Sequence, residues 1–433
     1  MHNKFQKFKR TALTFLGAGL CTTMLVKTSL AVAQDKQHTP LVIFDTDMGP
    51  DIDDVLALAM LHAYQKQGKI ELAAVTISRN SDAGARFSDA INTFYKHPDI
   101  PIGIYYGSTN WEGNDNALYP ILANSYPHDI EQPLPEGVDV QRSVLARAEQ
   151  EQRRVIMIQV GFSGNISTLL DSPADAISPK SGMDLVKDNV DFLSIMATRR
   201  NSSQPEFNVE KDLASAKNVF KKWPKKMVIT GGSTGDAILY PYESIENYFN
   251  YVSSHPVKAA YEYKNLSWHP SNPPFYNMRS WDLLSVLEAV EPENNYLKLS
   301  GPGRMTLSAN GASTFVEGNG EHYLSAPDYG FNQPEKNAIV DRLVQLVSAT
   351  PVPESTSVDL PSDTSEYFYQ QANSGEYWWI INNTRRWLSK ECGRQHVNAG
   401  SEPTLIAYSE LEVIPRDEGP CPAVDPVDPK YRS

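Results

Sequence analysis

Three cysteines and nine histidines in 433 residues leave little material for thiol chemistry or for a zinc centre. Basic charge is scarce as well, with 39 Lys and Arg against 52 Asp and Glu. A chain with that balance has no surplus of cations to displace phosphate counterions, which excludes nucleic-acid polymers as expected partners. Long apolar runs are equally sparse. The uncharged stretch Thr11 to Val26 falls short of the roughly 20 residues of a bilayer span, and no run of that length follows it. Lys4, Lys7, Lys9 and Arg10 precede the stretch, and Ala31, Val32 and Ala33 supply small residues for cleavage, so residues 1–33 read as a secretory signal peptide. The expected product is an exported chain, periplasmic or secreted, that starts near Gln34 and carries no membrane span.

Removal of that segment leaves 34 Lys and Arg against 52 Asp and Glu, a net charge of −18. It also leaves only Cys392 and Cys421, for which an oxidising compartment favours a disulfide.

What the sequence does contain is a core: 41% of residues are hydrophobic and 10% aromatic. From Leu41 to about Thr230, short apolar runs alternate with helical patterns. Strands are expected over 41–44, 72–77, 102–105, 155–160, 192–197 and 227–230, with helices over 55–64, 85–95, 143–150 and 213–220. The expected class is α/β, a mostly parallel, doubly wound, Rossmann-like sheet with ligands at its C-terminal strand ends. Beyond Trp281 come a helix over 282–290, Gly-rich hairpins and a helix over 335–348. Residues 351–365 then form a Pro-, Ser- and Thr-rich linker, and 366–433 a small β-rich C-terminal module crowded with aromatics, of unassigned role.

The strand Leu41–Phe44 runs straight into Asp45, Asp47, Asp51, Asp53 and Asp54, five carboxylates within ten residues. Like charges at that density repel unless a cation sits among them. Oxygen-only donors suit Ca²⁺ or Mg²⁺, and no Cys or His lies close by for zinc. An acidic turn capping the helix that starts at Val55 would explain one or two of these aspartates, not five. Asp-x-Asp after an apolar strand also opens the haloacid dehalogenase-type phosphatases, although Met48-Gly49 departs from their pattern.

Asp45-Thr46-Asp47 followed by Asp53-Asp54-Val55-Leu56-Ala57-Leu58 resembles the N-terminal signature of the nucleoside hydrolases, in particular the inosine- and uridine-preferring members. Three further segments carry the same resemblance in the same order: the strand and Gly161-x-x-x-Asn165 turn, Glu206-Phe207-Asn208, and Asp282 at a helix start. The resemblance implies a catalytic domain over residues 38–350, of α/β fold, that uses Ca²⁺ (Mg²⁺ as the alternative) to hydrolyse a small-molecule N-riboside to ribose and free base. It implies Asp47, Asp54, Asp282 and the Val160 carbonyl as metal ligands, Asp53 as the catalytic base and Asp45 as support. It further implies Glu206 and Asn208 on the sugar, with Asn80 as an additional contact. A sugar- or nucleoside-binding protein without turnover is the rival expectation, and self-association is left open.

Two departures stand out. Five residues separate Asp47 from Asp53, two more than the family's usual three, which brings Asp51 into the cluster as a supporting residue. Trp281 occupies a position where many members carry His, and indole has no proton to give a leaving base, though it can stack on one.

Overall fold

The computed structural model describes residues 39–111, 118–268, 276–325 and 330–351, and five strands beyond them. The signal segment, the linker beyond Pro351, Cys392 and Cys421 lie outside the described residues.

Nine strands form the main sheet: β1 (Leu41–Thr46), β2 (Glu71–Ile77), β3 (Ile102–Ile104), β4 (Val155–Gln159), β5 (Val190–Met196), β6 (Lys226–Thr230), then, after the short antiparallel pair β7 (Leu239–Tyr240) and β8 (Met278–Arg279), β9 (Gly303–Leu307), β10 (Ser313–Glu317) and β11 (His322–Leu324). Their spatial order is β10-β9-β11-β6-β5-β4-β1-β2-β3. The pairs among β1 to β6 are parallel, and β11 extends that set alongside β6 before the antiparallel strands β9 and β10 close the edge. The Gly-rich segment expected as attached hairpins is therefore part of the central sheet.

β1 is buried along its whole length. Val42 and Phe44 enter one apolar cluster and Leu41 and Ile43 another, so the alternation of a strand divides one run of residues between two helical layers. On the first face, the helix Asp53–Lys66 packs between the helices Trp281–Val290 and Gln333–Val347. Every residue from Asp53 to Tyr64 is buried, which explains why a helix apolar on all sides is stable here.

Strand order reverses at β1, with β2 and β3 on one side and β4, β5 and β6 on the other. The crevice beyond the carboxyl ends of β1 and β4 is thus a topological switch point, where such sheets bind ligands. Among the described residues, no helix is long and apolar enough to cross a membrane. The described part of the C-terminal segment forms a separate five-stranded sheet, in the order 404–406, 367–371, 377–381, 384–388, 416–417.

Candidate active site

A cavity of about 220 Å³ opens at that switch point. It is lined by Asp47, Pro50, Asp51, Asp53, Asp54, Val160, Met196, Arg199, Glu206, Phe207, Asn208, Trp281 and Asp282. Segments more than 200 residues apart meet there, Asp53 and Asp282 being separated by 229, because β1, β4 and β5 end side by side and two helices begin beside them.

Asp53 and Asp54 stand in the first turn of the helix Asp53–Lys66, and Asp282 in the first turn of Trp281–Val290. The two helices pack together, so both amino ends face one point. Neither has a side-chain N-cap, and their partial positive charge favours the carboxylates placed there. Oxygens of Asp53, Asp54 and Asp282 come within 4.8 Å of one another, all buried. The Asp282 N–H donates to Asp53 Oδ2 at 3.3 Å. Asp54 accepts from the Thr46 hydroxyl and, on its other oxygen, from the Gly49 N–H at 3.0 Å.

Burial pushes the carboxyls of Asp53 and Asp282 well above the usual range, and the charges of their acidic neighbours push them further. Asp54 is raised by burial and held back by its bonds to Thr46 and Gly49. Three carboxylates in that position need either protons or a cation, and a hard divalent ion with all-oxygen ligands suits the donor set.

Asp47 lines the same cavity but lies against Asp54 rather than in the trio; burial and the Asp54 charge raise its carboxyl, while Arg79 opposes the shift. Arg79 is buried and donates to the Asp47 carbonyl at 2.5 Å and the Met48 carbonyl at 2.6 Å. Sequence reasoning named Asn80, its neighbour. Asn80 is exposed and does not line the cavity, so the residue that serves the site from the end of β2 is the arginine beside it. A Cβ at Gly161 would sit 2.2 Å from the Asp47 backbone N, so that position requires glycine for the Asp47 segment to pass, while one at Gly49 would sit 2.7 Å from Asp47 Oδ2 and displace the carboxylate.

Asp45 lies beneath the cavity and does not line it. Its Oδ1 accepts from Thr76 Oγ1 at 2.5 Å and from Asn165 Nδ2 at 2.8 Å, and burial raises its carboxyl to about 7. The Asn of the Gly-x-x-x-Asn turn therefore locks Asp45, as support for the β1 end. An Asp45 so enclosed cannot be the attacking nucleophile that the phosphatase reading requires.

On the far wall, Glu206 caps the helix Phe207–Lys211, accepting from the Asn208 N–H at 3.0 Å and from the Val209 N–H. Burial raises its carboxyl to about 7. Asn208 Nδ2 donates to the Val160 carbonyl at 2.8 Å and to the Met196 carbonyl at 3.2 Å. One lone pair of the Val160 oxygen is thereby taken, and the other remains available to a ligand.

Asp51 sits at the rim, where Lys264 Nζ comes within 3.8 Å of its Oδ1 and also bonds the Pro50 carbonyl. Trp281 is pinned by its Nε1–H to the Gly232 carbonyl at 3.1 Å and packs against Gly235. Its ring is part of both this wall and that of a second cavity. Arg79, Arg199 and Lys264 were missed in the sequence because single basic residues far along the chain carry no spacing signal.

The chain matches no family model and no curated protein. Among solved structures, it is similar to a purine-preferring ribonucleoside hydrolase from Gardnerella vaginalis (16% identity, TM-score 0.56, 71% of this chain and 99% of that one). It is also similar to an inosine-uridine preferring nucleoside hydrolase from Bacillus anthracis (12%, 0.53, 71% and 99%). A third likeness is to the type III effector XopQ, solved in complex with adenosine diphosphate ribose (15%, 0.53, 75% and 98%). The chain has the nucleoside hydrolase fold.

Proposed function

We propose that this chain is an exported N-ribohydrolase that binds Ca²⁺, with Mg²⁺ as the alternative, and cleaves the N-glycosidic bond of a ribonucleoside or related N-riboside to ribose and free base. The observation that carries the reading is the buried convergence of Asp53, Asp54 and Asp282 at the floor of a cavity whose opposite wall holds Glu206 and Asn208. The α/β fold of its structural neighbours agrees with it.

Asp53, Asp54, Asp282 and the Val160 carbonyl would hold the cation. Bound there, it supplies Lewis-acid activation of water and neutralises the repulsion among the carboxylates. Because Asp53 belongs to the trio, it is assigned to the cation. Asp47, beside the trio and open to the cavity, takes the proton-accepting role first expected of Asp53. Glu206 and Asn208 orient the ribose hydroxyls, and the carboxylate wall stabilises the positive charge that develops on the sugar as the C–N bond breaks.

The deciding experiment is ribose release across a nucleoside panel, with and without chelator. No release with calcium demonstrably bound would sink the proposal. A second reading, binding without turnover, is favoured by one observation: among the described residues lining the cavity there is no His, Lys or Tyr to protonate a leaving base. Equal ligand affinity in the wild type and Asp47→Asn, with no product from either, would establish that reading instead.

A further inference from the structure

The second cavity, of about 380 Å³, adjoins the first through the shared residues Asp51, Asp53 and Trp281. The two cavities thus share a wall, and a group held at its edge is within reach of a ligand in the first. At their junction stands an ion cluster that the reaction as proposed does not use. Arg199, on the first wall, places Nη1 2.8 Å from Asp236 Oδ2; Arg279, on the second, places Nε 3.2 Å from Asp236 Oδ1. Both guanidiniums are solvent-accessible, and that of Arg279 lies 5.5 Å from the centre of the Trp281 ring.

The charge balance around the two cavities singles out this cluster. Asp53, Asp54 and Asp282 face the proposed cation, Asp51 faces Lys264, Asp47 lies near Arg79, and Glu206 is held by backbone N–H groups. Asp236 alone is shared by two guanidiniums, and neither arginine has a carboxylate partner of its own within ion-pair distance among the described residues. In a chain with 13 more acidic than basic residues, two accessible guanidiniums that share one carboxylate beside an acidic site are selective for one kind of group.

We propose that Arg199 and Arg279, held apart by Asp236, form an anion subsite, and that the preferred substrate is an N-riboside carrying a phosphate or a carboxylate. This rests on the N-ribohydrolase reading for the placement of the sugar. Planar guanidiniums suit either group because both accept two parallel N–H bonds.

The test compares kcat/KM for uridine, uridine 5′-monophosphate and orotidine with the calcium-loaded full chain, and binding of ribose 5-phosphate against ribose by calorimetry. A charge-assisted pair of bonds gives one of the anionic ribosides an advantage on the order of 10-fold over uridine. An advantage for the monophosphate places the anion on the sugar, and one for orotidine on the aglycone. The ratio of anionic to neutral substrate should fall to about 2-fold or less in Arg199→Gln/Arg279→Gln, and rise in Asp236→Asn, which frees both guanidiniums. Two variants that shift one ratio in opposite directions cannot both be explained by misfolding. Cleavage of uridine with no anionic preference overturns the subsite and leaves the ribohydrolase standing. Tighter binding of ribose 5-phosphate with no cleavage of any riboside does the reverse.

Discussion

Lys264 Nζ lies 3.8 Å from Asp51 Oδ1, and the same ammonium donates to the Pro50 carbonyl. The lengthened spacer between Asp47 and Asp53 is thus fastened from outside by a helix more than 200 residues away. The Tyr119 hydroxyl adds a bond to the Asp51 carbonyl at 3.0 Å.

Removing that ammonium leaves Asp51 half-buried beside the acidic cluster without its nearest cation, only the weaker pull of Arg279 remaining. Lys264→Met is expected to cost about 1–3 kcal/mol in denaturant unfolding, the range for a buried charge deprived of its partner, whereas Lys264→Arg retains most of the stability. If Met and Arg behave alike, the charge is not what fastens the spacer.

Asp47 and Asp53 have separable expected roles. Asp53→Asn should weaken calcium binding in calorimetry by at least about 10-fold, and activity should recover in part at high calcium. Asp47→Asn should bind the ion within a few-fold of wild type and lose about 10²-fold or more in kcat. The opposite pattern would restore the assignment drawn from the sequence, with Asp53 as base.

Glu206 serves two purposes that substitution can part. Glu206→Ala removes the cap of Phe207–Lys211 and should cost about 1 kcal/mol, while Glu206→Gln keeps an acceptor and most of that stability. Both should raise KM on the order of 10-fold through the lost carboxylate. A Gln variant with wild-type KM would show that Glu206 is a cap and nothing more.

Acid sensitivity should come from buried histidines far from the cavity: His322, lowered to about 4 by burial, and two lowered further. His62 and His255 are buried, and burial depresses each to about 3. The His255 ring lies 4.4 Å from Phe94 and accepts the Val257 N–H on Nδ1, so Nε2 carries the proton shared with the Tyr251 hydroxyl. With the folded value below the unfolded one, their contribution is complete above about pH 6.5. It is lost as pH falls from there toward 3, by up to about 1.4 kcal/mol per pH unit for each histidine. Glu288, raised to about 7, and Asp89, raised to about 6, oppose this by gaining protons on folding in the same window. Denaturant melts in excess calcium should show a shallower loss between pH 6.5 and 5 in His255→Phe than in wild type. An unchanged slope would assign the acid sensitivity elsewhere.

Much of this fold was legible because its signals are local and repeated. The six parallel strands announce themselves as apolar runs, and Asp54 and Asp282 are read from helix starts. Arg79 and Asn80 at the end of β2 look alike in sequence, and only the structure shows Arg79 buried against the Asp47 and Met48 carbonyls and Asn80 exposed. The Gly-rich segment 301–324 looked peripheral because its strands are short; β11 finds its partner in β6, nearly 100 residues earlier, and no local pattern encodes that pairing. The Arg199–Asp236–Arg279 cluster was invisible for the same reason.

Asp53 and Asp282 are 229 residues apart, and their contact closes a loop that contains five of the six strands from β1 to β6. Such a contact belongs to the end of the folding reaction, after the strands between have found their places. A cation held by both helices would then act chiefly on the escape from the native state, lengthening its lifetime without hastening its formation. An ion that readied the site for chemistry would double as a kinetic latch on the chain.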